Sequence, residues 1–321
     1  MVKLSEGNGG KEMDSLISRF TKDFPRGNWL HYDNDAAILK TDIGFFGFTT
    51  DSFIVEPPFF PGGNIGDLAF CGTVNDLAVM GIKPSALSIA LVIEEGFPDE
   101  KLEKISDSLA KHSKATGIPL VTGDTKVMQK GKLDNIIINT SAIGVTDKVL
   151  DTPPESGDLI ILSGSLGDHA VAVLSKRFDF ETSVTTDSKP LWEEMKSIKP
   201  LIKQAKDPTR GGLAATLNEI AIKNNLQVLI HESHIPVKQE VRSAINLLGI
   251  DMYSLACEGR IVCIASQEKA DLVLEILRKF NPDASIIGEF TGQKIPEVVI
   301  QTAFGKRLLP KPSGNIVPRI C

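Results

Sequence analysis

"GGNIGDLAFCGTVNDLAVMGIKPSALSIALVI", residues 62–93, holds a helix and a buried strand in one run. Its first part sets Ile65, Leu68, Ala69, Gly72 and Asp76 near helical spacing. Its last part, "PSALSIALVI", is a short, continuous apolar run of the kind that fills an inner strand. A helix that hands over to a buried strand points to helices layered on a sheet. Outward from this stretch, "DAAILKT" (35–41) and "GFFGFTT" (44–50) read as short strands. Residues 98–117 read as a helix: Pro98 suits its first turn, Asp99 and Glu100 complement the dipole, and Gly117 stops it. Strands "IPLVTGD" (118–124) and "LDNIIINTSAIGV" (133–145) complete a first α/β unit.

Residues 146–157 carry two adjacent prolines and no periodicity, and read as a linker. A second unit follows, with strands at 158–164, 226–232, 260–266 and 284–290. Its helices are expected at 167–178, 211–225, 236–249 and 267–280, with a charged helical stretch from about Pro190 to Lys206. After about Gln301 the signals fade. Pro310, Pro312 and Pro318, with the Ser313-Gly314-Asn315 cluster, read as an extended tail. From Val298 to Cys321 there is no acidic residue, whereas Lys306, Arg307, Lys311 and Arg319 are basic.

The chain of 321 residues is long enough for two cores. A net charge of −6 argues against a nucleic-acid binder. The start, "MVKLSEGNGGKEMD", has no signal-peptide core, and no apolar run approaches the ~20 residues of a membrane span. A cytoplasmic enzyme is expected. The cysteines, Cys71, Cys257, Cys263 and Cys321, form no CxxC pair and no zinc spacing. Cys71 and Cys263 sit in apolar stretches as core residues would. Cys321 is the last residue, in a segment with nothing to bury it.

Four carboxylates end strands or apolar runs: Asp35 in "YDNDAAIL", Asp51 in "TTDSF", Asp76 in "VNDLAVMG" and Asp124 in "VTGDTK". Singly each reads as a turn residue; together they suit a hard cation such as Mg²⁺ held beside substrate phosphates. "EGNGGK" (6–11) offers backbone N–H groups and Lys11 to a polyphosphate, although it is neither a Walker loop nor a dinucleotide fingerprint. "DPTRGGLAATLNEI" sets Thr209, Arg210 and two glycines at a helix start, an anion site or a plain cap. Lys126 lies two residues past Asp124, so the two share one polar site. Glu258 in "ACEGRIV" is a general base or one half of a surface ion pair. His169 in "LGDHA" acts on a substrate or packs against its own helix.

With "DSFIVEPPFFPGGNIGDLAFCGTVNDLAVMG", "VTGDTKV", "GSLGDHA", "DPTRGG", "ACEGR" and the terminal "PRIC", the whole chain resembles the HypE family of hydrogenase maturation proteins. The terminal PRIC is the most specific element, because the wider superfamily lacks it. That superfamily is similar to aminoimidazole ribonucleotide synthetase (PurM). The resemblance implies an α/β (α+β) fold of two PurM-like domains, mixed sheets covered by helices, and an extended C-terminal tail. It implies an N-terminal arm at 1–40, an ATP-binding and dimerisation domain at 41–150, a second domain at 151–301, and a mobile tail at 302–321.

It also implies a reaction. A HypF-type carbamoyltransferase loads Cys321, and ATP with Mg²⁺ drives dehydration of the carbamoyl group to a thiocyanate. The cyanide then passes to iron on a HypC–HypD complex, for the [NiFe]-hydrogenase active site. Catalysis would fall to Cys321, Glu258 and Lys126. ATP would meet Gly9, Gly10, Lys11, Asp51, Asn75, Asp76, Gly123, Asp124, Thr209 and Arg210, and Mg²⁺ would meet Asp35, Asp51, Asp76 and Asp124. A homodimer paired through N-terminal strands is expected, with neither nucleic acid nor membrane as partner. Asn8 stands where the family more often has serine, a change of nucleotide detail. A selenophosphate synthetase would need a Cys or selenocysteine near the glycine loop, and none precedes Cys71. A thiamine-type kinase has no use for a terminal thiol. A nucleotide-binding scaffold is disfavoured by the intact Asp, Lys and Glu positions.

Overall fold

The computed structural model describes residues 1–7, 9–31, 34–314 and 319–321. Asn8, Asn315 and Pro318, each named above, lie outside the described residues. In the first half, α1 (Lys11–Thr21) precedes β1 (Trp29–Leu30), β2 (Ala37–Thr41) and β3 (Gly44–Phe53). A small hairpin, β4 (Phe59–Phe60) and β5 (Gly63–Asn64), opens α2 (Ile65–Val79). Then come β6 (Lys83–Glu94), α3 (Asp99–Thr116), β7 (Leu120–Met128) and β8 (Ile136–Thr146).

The second half starts with β9 (Leu159–Leu162), α4 (Asp168–Arg177), α5 (Trp192–Ile198), β10 (Ile202–Lys206) and α6 (Gly212–Asn224). It continues with β11 (Val228–His231), α7 (Gln239–Leu248), β12 (Val262–Ala265) and α8 (Gln267–Phe280). It closes on β13 (Ser285–Phe290), β14 (Val298–Thr302) and β15 (Gly305–Leu308).

Two mixed sheets result, in the orders β1-β2-β3-β8-β6-β7 and β10-β12-β9-β13-β11-β14-β15. The parallel pairs are β6 with β7 and β11 with β14. Helix α2 is buried on nearly every side, with Ile65, Leu68, Phe70, Leu77 and Val79 almost fully enclosed. It starts on a capping box: Asn64 Oδ1 accepts from Gly66 N–H at 2.8 Å, and Asp67 Oδ2 accepts from Asn64 N–H at 2.8 Å. The expected end of α3 is present, with Gly117 left-handed at φ 70°.

Three expectations change. The stretch from Pro190 to Lys206 is a short helix and then β10, whose Ile202, Gln204 and Ala205 pack inward against β12. The arm does not end at residue 40, because β2 spans that boundary and pairs with β3. Residues 305–308 of the expected tail form the outer strand of the second sheet, pairing Leu308 with Val299.

One core cluster joins the halves. Phe53, Leu68 and Ile138 of the first half pack with Ala170, Val171, Val241 and Leu255 of the second. Ile320 of the tail belongs to this cluster, 6% exposed. Burying such a side chain stabilises the closed tail by about 1.5–3 kcal/mol before chain entropy is counted.

Candidate active site

A cavity of about 420 Å³ lies between the halves, lined by Asp35, Asp51, Asp76, Lys206, Arg210, Glu258 and Cys321. Asp35 lies two residues before β2, Asp51 lies in β3, Asp76 in α2, and Asp207 directly follows β10. One oxygen from each of Asp35, Asp76 and Asp207 falls within 4.8 Å of the others, the one such acidic group among the described residues. The Thr49 hydroxyl fixes two of these positions, 2.7 Å from Asp76 Oδ2 and 3.0 Å from the Asp35 carbonyl.

So many carboxylates resist ionising together. Burial, then Asp51, Asp207 and Asp35, holds Asp76 well above the ordinary carboxylate range. Burial also pushes Asp207 up to about 8, with Asp35 adding to the effect. Lys206 answers from inside the group, 2.9 Å from Asp35 Oδ1 and 3.2 Å from Glu219. Burial works against its charge, but Asp35, Glu219 and Asp207 outweigh it and raise the ammonium's pKa. Asp35 Oδ2 is buried with no hydrogen-bond partner among the described residues. An all-oxygen donor set with an unpaired buried oxygen fits a hard divalent cation.

At the other end of the cavity stand the thiol and its neighbours. Cys321 and Glu258 both line this end of the cavity, and burial, then the charge of Glu258, raises the thiol well above its usual range. Glu258 is 2% exposed, and its Oε1 has no partner among the described residues. Burial, then Asp187, Asp207 and Asp51, raises its carboxyl well above the usual range. Gly72 of α2 keeps space open here. A Cβ at that position would lie 2.8 Å from the Phe53 ring and 3.8 Å from Glu258 Oε2. Arg210 adds the local cation, 3.9 Å from Asp51 Oδ1.

The tail is closed over this site. Ile54 N–H donates to the Cys321 carbonyl at 3.4 Å, and Glu56 N–H to the Arg319 carbonyl at 3.2 Å. Buried His169 donates from Nε2 to the Ile320 carbonyl at 2.7 Å. Arg177 donates to the Arg319 carbonyl at 2.6 Å, and Arg319 pairs with Asp134. Farther back, Lys311 pairs with Asp14 at 2.7 Å and Glu219 at 3.0 Å, while Lys11 N–H donates to the Pro312 carbonyl.

The expected residues divide. Asp35, Asp51, Asp76, Thr209, Arg210, Glu258 and Cys321 come together on one cavity. The two glycine stretches meet: a Cβ on Gly9, at φ 82°, would lie 3.0 Å from the Arg210 carbonyl. Gly10 caps α1 beside them at φ 87°, and the Lys11 side chain is exposed. Asp124 and Lys126 do not join the cavity. They pair with each other at 2.7 Å on β7, both about two-thirds exposed, and Gly123 is exposed beside them. Asp207, and not Asp124, groups with Asp35 and Asp76. Asn75 is diverted as well. Its amide donates to the carbonyls of Lys189 (3.0 Å) and Glu258 (3.3 Å) and accepts from Leu191 N–H (2.8 Å), so its polar atoms serve the backbone.

Sequence reading passed over Asp207, Lys206, Glu219 and Asp187. Asp207 opens "DPTRGG", where an aspartate before proline looks like a turn residue. His169 was read as a substrate-facing or packing residue; it holds the tail.

Two family models cover most of the chain. The AIR synthase related protein N-terminal domain matches residues 33–146, and the corresponding C-terminal domain matches 155–301. Carbamoyl dehydratase HypE of Rhizobium leguminosarum bv. viciae is 41% identical over 333 residues, covering 100% of this chain and 95% of that protein. The crystal structure of a HypE–HypF complex contains a chain 40% identical, with a TM-score of 0.85, covering 92% of this chain and 99% of that one. A crystal structure of HypE in complex with ATP is 38% identical, with a TM-score of 0.82, covering 100% of both chains.

Proposed function

The chain belongs to the AIR synthase related family and, within it, to the HypE carbamoyl dehydratases, and from that premise we propose that it dehydrates an S-carbamoyl group on its own Cys321 to a thiocyanate, using ATP. The observation that carries the reading is the terminal thiol lining one cavity with buried Glu258 and the converging carboxylates. The net change is loss of one water: the amide carbon gives up its oxygen, its nitrogen gives up both protons, and Cys–S–C≡N remains. Mg²⁺–ATP, when bound, supplies the phosphoryl group that makes the departing oxygen a good leaving group.

The chain's own residues do the rest. Asp35, Asp76 and Asp207, with Asp51 beside them, would hold the cation. Arg210 balances negative charge next to the sulfur, and Glu258 takes a proton from the carbamoyl nitrogen. The docked thiol is held protonated, which suits a handle that is loaded elsewhere and returns charged. The tail therefore has two positions in this reading. In the outward one it serves a HypF-type carbamoyltransferase and then a HypC–HypD complex, which receives the cyanide for iron; both steps belong in the cytoplasm. Incubation with carbamoyl phosphate, ATP, Mg²⁺ and a HypF-type partner tests the reading. Intact-mass measurement should show carbamoyl gain and then loss of water, and a chain that stays unmodified would reject it.

Lys126 and Asp124 keep a role only if a second copy approaches them. β7 is an edge strand whose nine residues are all exposed, including Leu120, Val121, Val127 and Met128. Such an edge is normally paired or covered. A homodimer formed through this strand would offer Asp124 and Lys126 to the partner's cleft. Lys126→Ala and Cys321→Ala, each inactive alone, should then complement when mixed and exchanged. Random pairing predicts recovery of about a quarter of wild-type turnover, one working site in half of the dimers. No recovery in mixed dimers confirmed by mass would remove Lys126 as a residue acting across the interface.

A further inference from the structure

The segment from Thr186 to Leu191, between α4 and α5, contacts the backbone of Glu258 directly and the tail through His169. At one end Thr186 Oγ1 lies 2.9 Å from Nδ1 of His169, whose Nε2 is 2.7 Å from the Ile320 carbonyl. A carbonyl can only accept, so Nε2 carries the proton and Nδ1 accepts from the Thr186 hydroxyl. That hydroxyl accepts in turn from Ser188 N–H at 3.1 Å. At the other end Asp187 Oδ1 accepts from the Glu258 backbone N–H at 3.1 Å. The Glu258 carbonyl takes the Asn75 amide, which also binds the backbone of Lys189 and Leu191. Glu258 is thus held on its N–H side by Asp187 of the segment and on its carbonyl side by Asn75 of α2, whose amide also binds the segment's backbone.

The segment is itself braced. Thr186 N–H donates to the Pro61 carbonyl at 2.9 Å, and Gly62, at φ 86°, leaves room that a Cβ would fill 2.8 Å from Thr185. A Cβ at Gly259 would fall 1.9 Å from the Asp187 carbonyl, so the glycine after the glutamate lets the two backbones touch. Arg260 lies 3.4 Å from Asp187 Oδ2 and 2.9 Å from Asp168, turning the other Asp187 oxygen toward Glu258.

We propose that Thr186–Leu191 is a positioning bracket that sets the gap between the Cys321 sulfur and the Glu258 carboxyl. Thr186 acts through His169 on the tail, and Asp187 acts on the peptide that carries the base. The proposal rests on reading Cys321 as carrier and Glu258 as base, and it assigns positioning roles to residues that never touch the carbamoyl group.

Two variants separate its ends. Thr186→Val keeps the shape and removes the hydroxyl, so the tail should open more often and Cys321 should alkylate about fivefold faster with iodoacetamide, read by mass on the C-terminal peptide. A wild-type alkylation rate would overturn that end. Asp187→Ala should slow dehydration of a pre-carbamoylated chain about tenfold or more with the ATP Kd unchanged. Asp187→Asn, whose amide oxygen still accepts from Glu258 N–H, should restore most of the rate. A wild-type rate in Asp187→Ala, or an Asp187→Asn chain as slow as it, would overturn the other end. Should Asp187→Ala not fold, Thr186→Val decides, because it leaves the buried charges in place. Absence of water loss in the wild-type chain would reject the dehydration reading, while the alkylation comparison would still judge the bracket.

Discussion

A chain carrying Cys321→Ala keeps its fold and its affinity for ATP, yet never acquires a carbamoyl or cyano group. The sulfur is the whole of the loss. Ile320 still fills the joint core, and the Cys321 and Arg319 carbonyls still accept from Ile54 and Glu56, because these contacts use the main chain. The other cysteines cannot substitute. Cys71, Cys257 and Cys263 are buried, and burial raises each thiol's pKa. Intact mass after incubation with the carbamoylating partner should therefore show the unmodified chain alone, and calorimetry should give an ATP Kd within about twofold of wild type. A variant that still gains mass at another cysteine would end the assignment of Cys321 as the carrier.

Glu258→Gln should divide the reaction at its second step. Glutamine keeps the size of the side chain and the backbone bonds to Asp187 and Asn75, but it has no basic oxygen. Carbamoylation should proceed and ATP should bind, while dehydration of the loaded chain falls by about 10²–10⁴-fold, the usual range for a lost general base. Single-turnover mass kinetics on a pre-carbamoylated chain would measure it, and wild-type turnover would exclude Glu258. The pH profile carries a second signature. The base works only when deprotonated, and burial with Asp187, Asp207 and Asp51 raises its pKa. The wild-type rate should therefore fall on acidification at a pH well above the ordinary glutamate value, and a limb near that value would mean that another group is the base.

The parts of the fold that were legible were those fixed by neighbours along the chain. α3 could be bounded because Pro98 and Gly117 act locally. The stretch before Lys206 was misread because its Glu and Lys residues imitate an exposed helix, whereas pairing with β12 decides that it ends as a strand. β15 was invisible for the same reason: its four residues are all exposed, and only the ladder with β14 makes them a strand. Of the residues on the cavity, Asp35, Asp51 and Asp76 drew attention at the ends of strands or apolar runs, Arg210 and Glu258 beside glycine, and Cys321 as the last residue. Asp124 and Lys126 lie two apart on a strand, so both fall on one face and pair there, away from this chain's own cavity. Asp187 gave no signal, since its importance comes from a contact with the backbone of a residue 71 positions away.

The closed tail, with Ile320 in the core and its carbonyl on His169, also bears on how this protein meets others. To any protein that must grasp the terminus, the chain's own cleft is a rival for Arg319, Ile320 and Cys321. The affinity such a protein shows is its intrinsic affinity multiplied by the fraction of time the terminus is outside. Each ~1.4 kcal/mol held by the closed form weakens the observed Kd tenfold. Recruitment of any such protein is then limited from within, by a competitor present at every moment and at fixed stoichiometry.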